Sequence, residues 1–460
     1  MRTVFSKINK ISLLIGILLF MASGSKAQKT LLDSYIDSAW KSNLVVQQKS
    51  IKLEKARQAL DIAKTYFLPE VNFQFGYQTA GGGRNIELPL GTLLNDAYRV
   101  LNQLTGTNNF PQLEDQSVNF FPRNFHDAKV RTTMPIINPD IRYNREIAEK
   151  QIVLSEYEVE IYKRDLALAV KTAYFQYLSA LKVVEIYENT LTLAEEGRRV
   201  NQRLLDNGKG LHAYILRSDS EIESVKASIS TARQQASNAA HYFNFLLNRE
   251  ADAPIDTDYS PEVTGRRIQG ISADELSATT GREELKALQQ SVSVYESVVN
   301  LRKSVFSPRL NSFLDLGNQS ENWKFNNQSR YYLLGLQLEI PIFTGQRNRL
   351  RVKQSQLDVA QASVELQQAM NQLQLAARTS VNNLRAAQDQ YAASSRQLES
   401  AATYQRLIER GYREGVNTFI ETIDARNQFT LAQLQETINQ YKVLIAAADL
   451  ERQTASYPIK

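Results

Sequence analysis

One pattern occurs twice along this chain, and it restricts the possible folds more than any total does. Ala63-Lys64-Thr65-Tyr66-Phe67-Leu68-Pro69-Glu70-Val71-Asn72 is matched by Arg302-Lys303-Ser304-Val305-Phe306-Ser307-Pro308-Arg309-Leu310-Asn311. Met134-Pro135-Ile136 then parallels Ile340-Pro341-Ile342, and Asn201-Gln202-Arg203-Leu204-Leu205 parallels Tyr404-Gln405-Arg406-Leu407-Ile408. Finally, Gly210-Leu211-His212-Ala213-Tyr214-Ile215 parallels Gly415-Val416-Asn417-Thr418-Phe419-Ile420, with Asp219 and Asp424 in matching places. Each copy reads helix, strand, strand, long helix, turn, helix. The spacing predicts repeat 1 over 28–255, a linker over 256–270 and repeat 2 over 271–460.

Helical periodicity opens each copy, over about Leu31 to Phe67 and about Asp274 to Phe306. Pro69 and Pro308 stop these helices and start strands, because the residue before a proline disfavours helix. Val71, Phe73, Phe75 and Tyr77 then alternate with Asn72, Gln74, Gly76 and Gln78. Ala128, Val130, Thr132 and Met134 alternate with Lys129, Arg131 and Thr133. In the second copy Leu310, Leu314 and Leu316 share one parity, as do Tyr332, Leu334, Leu336, Leu338 and Ile340. Period-2 alternation with one apolar and one polar face suits a barrel strand between lipid and a wet interior. The other reading of each strand alone is a half-buried strand of a soluble sheet.

Pro135 and Pro341 mark the strand exits. Two stretches rich in good helix formers follow, about Asp140 to Leu205 and about Arg347 to Arg410. At 1.5 Å per residue each is on the order of 100 Å long. Gly208 and Gly210 are expected to break the first, and Gly411 and Gly415 the second, with return helices over Tyr214 to Leu247 and Phe419 to Gln453. Ala80 to Phe125 reads as a long loop carrying Gly81-Gly82-Gly83 and a short helix over Leu93 to Leu104.

Past the N-terminus, no stretch reaches the ~18 apolar residues a membrane helix needs, so a spanning chain must use a β-barrel. Four strands cannot close one; two chains would give eight strands, and three would give twelve and a pore. The N-terminus carries Arg2, Lys7 and Lys10, an apolar run from Ile11 to Phe20, and Ser25-Lys26-Ala27. That pattern predicts a signal peptide over 1–27. Removing its four basic residues from the 54 leaves 50 against 49 acidic, so no nucleic-acid patch is expected at whole-chain level. The chain has no Cys, and its three histidines (His126, His212, His241) are scattered, so neither catalysis, a cofactor nor a metal is expected.

The order of elements, Phe67-Leu68-Pro69, Phe306-Ser307-Pro308, Pro341-Ile342-Phe343-Thr344-Gly345 and Gly415-Val416-Asn417-Thr418-Phe419-Ile420-Glu421 resemble the TolC-type outer-membrane efflux channels, the outer membrane factors of tripartite export systems. The resemblance covers nearly the whole mature chain. It implies an α+β membrane protein: a homotrimer with a 12-stranded transmembrane β-barrel, four strands per chain, continued by a long periplasmic α-helical barrel. It also implies outer-membrane lipid around the barrel, a periplasmic adaptor (membrane fusion) protein, an inner-membrane pump, and passive transport in this subunit. Carried onto this chain, it makes Glu421 and Asp424 candidate acids of a periplasmic constriction; their i, i+3 spacing puts both on one helix face. Tyr412 matches a family tyrosine that latches the closed tip. Asn417 and Leu216 stand where the family has arginine and aspartate, with Arg217 and Asp219 as possible substitutes. The alternative is a periplasmic coiled-coil scaffold or adaptor without a pore, which leaves the alternating strands unexplained.

Overall fold

The computed structural model describes residues 31–119, 121, 123–259 and 281–459; the expected signal peptide over 1–27, most of the linker and the start of repeat 2 lie outside them. In chain order the elements are α1 (Leu31–Ser42), α2 (Leu44–Thr65), β1 (Glu70–Gln78), β2 (Asn85–Leu88), α3 (Leu90–Thr105), β3 (Gln116–Asn119), β4 (Phe125–Ile137), α4 (Pro139–Asp206), α5 (His212–Leu246), α6 (Glu283–Lys303), β5 (Arg309–Glu321), β6 (Arg330–Glu339), α7 (Arg347–Arg413) and α8 (Phe419–Thr454). The chain forms two compact units. One draws on the chain up to Glu54, Val153–Ser291 and Ala362–Lys460; the other on Lys55–Ile152 and Val292–Gln361.

The second unit holds an antiparallel sheet in the order β1-β4-β5-β6. Its register sorts the side chains. Phe73, Val130, Leu316 and Tyr332 form one row across the strands, and Val71, Thr132, Leu314 and Leu334 the next. On this face Phe73, Leu316, Tyr332, Leu334, Leu336 and Leu338 are all exposed. The opposite face is polar and cross-linked. Arg131 makes two hydrogen bonds to Asp315, of 2.6 and 2.7 Å. The Tyr331 hydroxyl donates to Asp127 at 2.8 Å, and Lys129 pairs with the same carboxylate at 2.9 Å. A soluble sheet buries its apolar face and wets its polar one; here the apolar face is the uncovered one, as in a barrel wall facing lipid. At the β5–β6 hairpin Trp323 stacks on Tyr77 and on the buried His126, with ring centroids 5.5 and 5.2 Å apart.

Several details differ from the sequence expectation. The first helix divides at Asn43, whose Oδ1 accepts from the Val45 and Val46 amides while its Nδ2 donates to the Leu246 carbonyl. The side chain thus caps α2 and ties it to the end of α5. Pro135 is not past the end of its strand: it stays in register opposite Asn311, β4 runs on to Ile137, and a bulge beside the proline leaves Ile136 without a partner. Pro69, Pro308 and Pro341 do flank β1, β5 and β6. The long connection contains α3 near its expected place, together with a small β2–β3 ladder that was not anticipated.

The first unit is helical. Ile36 and Trp40 of α1, Val170 and Tyr174 of α4, Phe243 of α5 and Tyr441 and Leu444 of α8 form its core. Beside that core lies a cluster of linked charges, buried at Glu283 and Arg452 and open to solvent at Asp165. Arg164 forks onto Glu283 at 2.6 and 2.7 Å, and Arg452 joins Asp165 at 2.6 Å and Glu284 at 2.5 Å. Burial pushes Glu284 up, but hydrogen bonds from Arg282 and Arg452 outweigh it and hold the carboxyl at about 2, against an ordinary 4.5. A depressed folded pKa stabilises the fold above the ordinary carboxylate range, and that stabilisation is lost as pH falls. Glu284→Gln is therefore expected to lower the thermal midpoint at neutral pH, with the gap to wild type closing between about pH 4.5 and 2 in a pH series of melting curves.

Candidate functional site: the ends of the helical hairpins

Two helical hairpins, α4–α5 and α7–α8, turn in the first unit. Gly208 and Gly210 lie in the first turn, as expected. In the second, the break comes at Gly415, whose φ of +78° is the left-handed conformation glycine adopts without strain. Gly411 does not break its helix: α7 runs on to Arg413. What Gly411 provides is space. A Cβ there would come within 2.0 Å of the Asn417 Oδ1, so the chain folds back against bare backbone. Its carbonyl accepts from the Val416 and Asn417 amides at 2.8 and 3.2 Å.

α8 begins with a capping box that the spacing Thr418-x-x-Glu421 announces in the sequence and that was overlooked there. Thr418 Oγ1 accepts from the Glu421 amide at 3.3 Å, and the Glu421 carboxylate accepts from the Thr418 amide at 2.6 Å. Asn417 Nδ2 adds a bond to the same oxygen at 3.2 Å. These hydrogen bonds, the Thr418 backbone bond foremost, hold Glu421 below the usual carboxylate range. Asp424 stands one turn on, also exposed, and among the described residues accepts only from Gln428 of its own helix at 2.8 Å. The two acids share an open face, but Glu421 has structural work as well as charge.

Tyr412 meets neither Arg217 nor Asp219. Its hydroxyl donates to the buried Asn201 of α4 at 2.8 Å; Asn201 donates to Ser218 of α5 at 3.2 Å, and Ser218 donates to the Tyr214 carbonyl at 2.8 Å. Asp219 is taken up by Arg198, while Arg217 and Leu216 are exposed, Arg217 without an ion pair among the described residues. Phe419 is buried between the rings of Tyr214 and Tyr412. Burial, with Tyr214 nearby, raises the Tyr412 pKa, so the phenol remains a neutral donor at physiological pH.

Slightly further from the turns, Arg426 of α8 pairs with Glu221 of α5 at 3.2 Å; their side chains are 6% and 7% exposed. The guanidinium lies against Gly197 of α4, where a Cβ would approach it to 3.2 Å. Breaking one partner of such a buried pair typically costs about 3–5 kcal/mol. Asn201, Ser218, Glu221 and Arg426 were all missed by the sequence reading, because partners up to 211 residues apart leave no local pattern. The Tyr412–Asn201 bond has a direct check. Tyr412→Phe and Asn201→Ala, combined in a double-mutant cycle followed by thermal unfolding, are expected to show a coupling of about 0.5–1.5 kcal/mol; strictly additive effects would mean the contact contributes nothing.

The sequence model described as outer membrane efflux protein matches residues 35–249 and 277–456. Alkaline protease secretion protein AprF of Pseudomonas aeruginosa is 25% identical over 224 residues, a match that spans 46% of this chain and 45% of that protein. Solvent efflux pump outer membrane protein SrpC of Pseudomonas putida is 20% identical over 390 residues, 77% of this chain and 79% of its own. Among solved structures, the outer-membrane channel OprN superposes with a TM-score of 0.71 over 92% of this chain and 89% of that one, at 16% identity.

Proposed function

Because the chain belongs to the outer membrane efflux protein family, we propose that it is the outer-membrane duct of an export assembly, a passive channel through which substrate leaves the cell. One observation carries the reading: a four-stranded sheet with an exposed apolar face and two unpartnered edge strands, in a chain whose described helices are none of them long and apolar enough to cross a membrane. In lipid each unpaired backbone group costs several kcal/mol, so β1 and β6 must find strands on other chains. Three copies give twelve strands and an open lumen, with the polar Arg131–Asp315 face inside. The long hairpins then line a tunnel in the periplasm, where a periplasmic adaptor and an inner-membrane pump supply coupling and energy.

The two chain halves are read as internal repeats, α1 to α5 with β1 and β4 against α6 to α8 with β5 and β6. α7 adds support for assembly, since Leu350, Leu357 and Val364 recur every seven residues and are all exposed, a seam for a neighbouring helix. A periplasmic scaffold without a pore leaves the uncovered apolar sheet face without a solvent that suits it.

In this reading the hairpin ends form the constriction, three Asp424 carboxylates ring it, and the Tyr412–Asn201 bond holds it narrow. Asp424→Asn is the cleaner probe of charge, because altering Glu421 also removes the helix cap. In planar bilayers the wild type is expected to prefer cations, Asp424→Asn to lower that preference, and Tyr412→Phe to raise single-channel conductance. Absence of any conductance from correctly inserted protein would defeat the channel reading; an unchanged cation preference in Asp424→Asn would defeat the acidic ring alone.

A further inference from the structure

The start of α7 breaks a local rule. Its first two turns carry Arg347, Arg349, Arg351 and Lys353 and no acid in the first turn, although a helix N-terminus carries positive partial charge and favours anions. None of these four has a carboxylate partner among the described residues, and neither has Arg302 on α6. Arg302 of α6 and Arg351 of α7 both line a cleft of about 330 Å³ within the second unit, together with Ser355 and Asp358. In the same turn Asn348 is buried, and its Nδ2 has no acceptor among the described residues. The five cations are exposed, so no carboxylate of the described chain neutralises them and they stand open to an outside anion, whose charge the helix N-terminus also favours.

The surroundings identify the anion. The connector from β6 to α7 holds Ile342 and Phe343, which are 92% and 81% exposed. These large apolar side chains sit at the end of the strand whose exposed face is Tyr332, Leu334, Leu336 and Leu338. An apolar band, then two bare apolar side chains, then a cluster of unpaired cations within two helical turns is the order of groups met on passing from hydrocarbon to headgroup. A second copy of the chain is a poorer occupant. At the start of α4 the carboxylates Asp140, Glu146 and Glu149 are already paired with Arg309, Lys150 and Arg145.

We propose that Arg302, Arg349, Arg351 and Lys353 form a collar that binds anionic glycerophospholipid headgroups of the periplasmic leaflet and fixes the depth of the barrel in the membrane. The collar rests on the duct reading, which supplies the bilayer. Each cation near an anionic surface contributes enough to raise local lipid occupancy roughly fivefold. Arg351 and Arg302 would hold a phosphate in the cleft, and Arg349 and Lys353 would meet neighbouring headgroups.

The test uses full-length protein in nanodiscs of phosphatidylcholine with one-fifth phosphatidylglycerol, released in a native mass spectrometer. Wild type is expected to retain phosphatidylglycerol at least fivefold above its bulk share, with the enrichment falling as salt is raised. The variant with Arg302, Arg349, Arg351 and Lys353 all changed to Gln is expected to retain the bulk ratio. Oligomer mass in the same spectra reports assembly, so failure of the duct reading is visible separately as a protein that does not insert or assemble. Bulk-ratio lipid on an assembled wild type overturns the collar, as does enrichment that survives in the variant. Should the variant fail to assemble, the wild-type lipid ratio and its salt dependence still decide. Displacement of the retained lipid by millimolar inorganic phosphate would reassign the cleft to a small anion and overturn the lipid proposal.

Discussion

The outer edges of β1 and β6 offer a row of backbone donors and acceptors that no strand of the described chain takes up. In water such edges are tolerable; between lipid tails they are not, since nothing there can replace the missing partner. The exposed apolar side chains of the same sheet exclude water as the suitable solvent. The sheet therefore needs lipid on one face and further strands on both edges. On the proposed reading, oligomerisation and an enclosed polar face both follow from that single requirement, and none of the described helices is long and apolar enough to offer another way across a membrane.

The helical hairpins solve a different problem. On the proposed reading they must hold together strongly in the body and weakly at the end proposed to open. The body has the aromatic core around Tyr174 and Phe243 and the multiply bonded Arg452–Glu284 cluster. Towards the turns the links thin to a buried ion pair, Arg426–Glu221, and then to the neutral chain Tyr412–Asn201–Ser218. Where the resemblance suggests charged latch partners, this chain places an amide. A neutral hydrogen bond contributes about 1 kcal/mol and does not respond to salt as an exposed ion pair does. Such a tip would be held shut lightly, and mechanical engagement by a partner would suffice to open it.

Much of the fold was legible because its signals are periodic. Alternation along Val71–Tyr77 and Tyr332–Ile340 showed both the strands and which face carries the apolar side chains, and composition between flanking prolines and glycines located α4 and α7. What escaped was set by single contacts. The split at Asn43 depends on a carbonyl at Leu246, and the bulge at Pro135 on the register with β5. Gly411 looked like a helix breaker because its role, receiving Asn417, exists only after the chain has turned. At the hairpin ends the resemblance pointed to Tyr412, Glu421 and Asp424 but not to the partner of Tyr412, since Asn201, although it lies in a repeated stretch, carries nothing that points to a tyrosine 211 residues away. The β2–β3 ladder was hidden because its strands are four residues long, too short for alternation to stand out.

The most direct measurement asks whether β1 and β6 meet across chains. Within one chain they are separated by two strands, about 14 Å, which is beyond disulfide reach. The chain has no cysteine, so any introduced pair reports alone. Phe73→Cys combined in turn with Tyr332→Cys, Leu334→Cys or Leu336→Cys, oxidised in outer membranes, is predicted to give covalent dimers and trimers in at least one register. Phe73→Cys with Val130→Cys, directly paired partners on β1 and β4, should close within the chain and serves as the oxidation control. An efficient control with no intermolecular species in any edge pair would contradict a shared barrel.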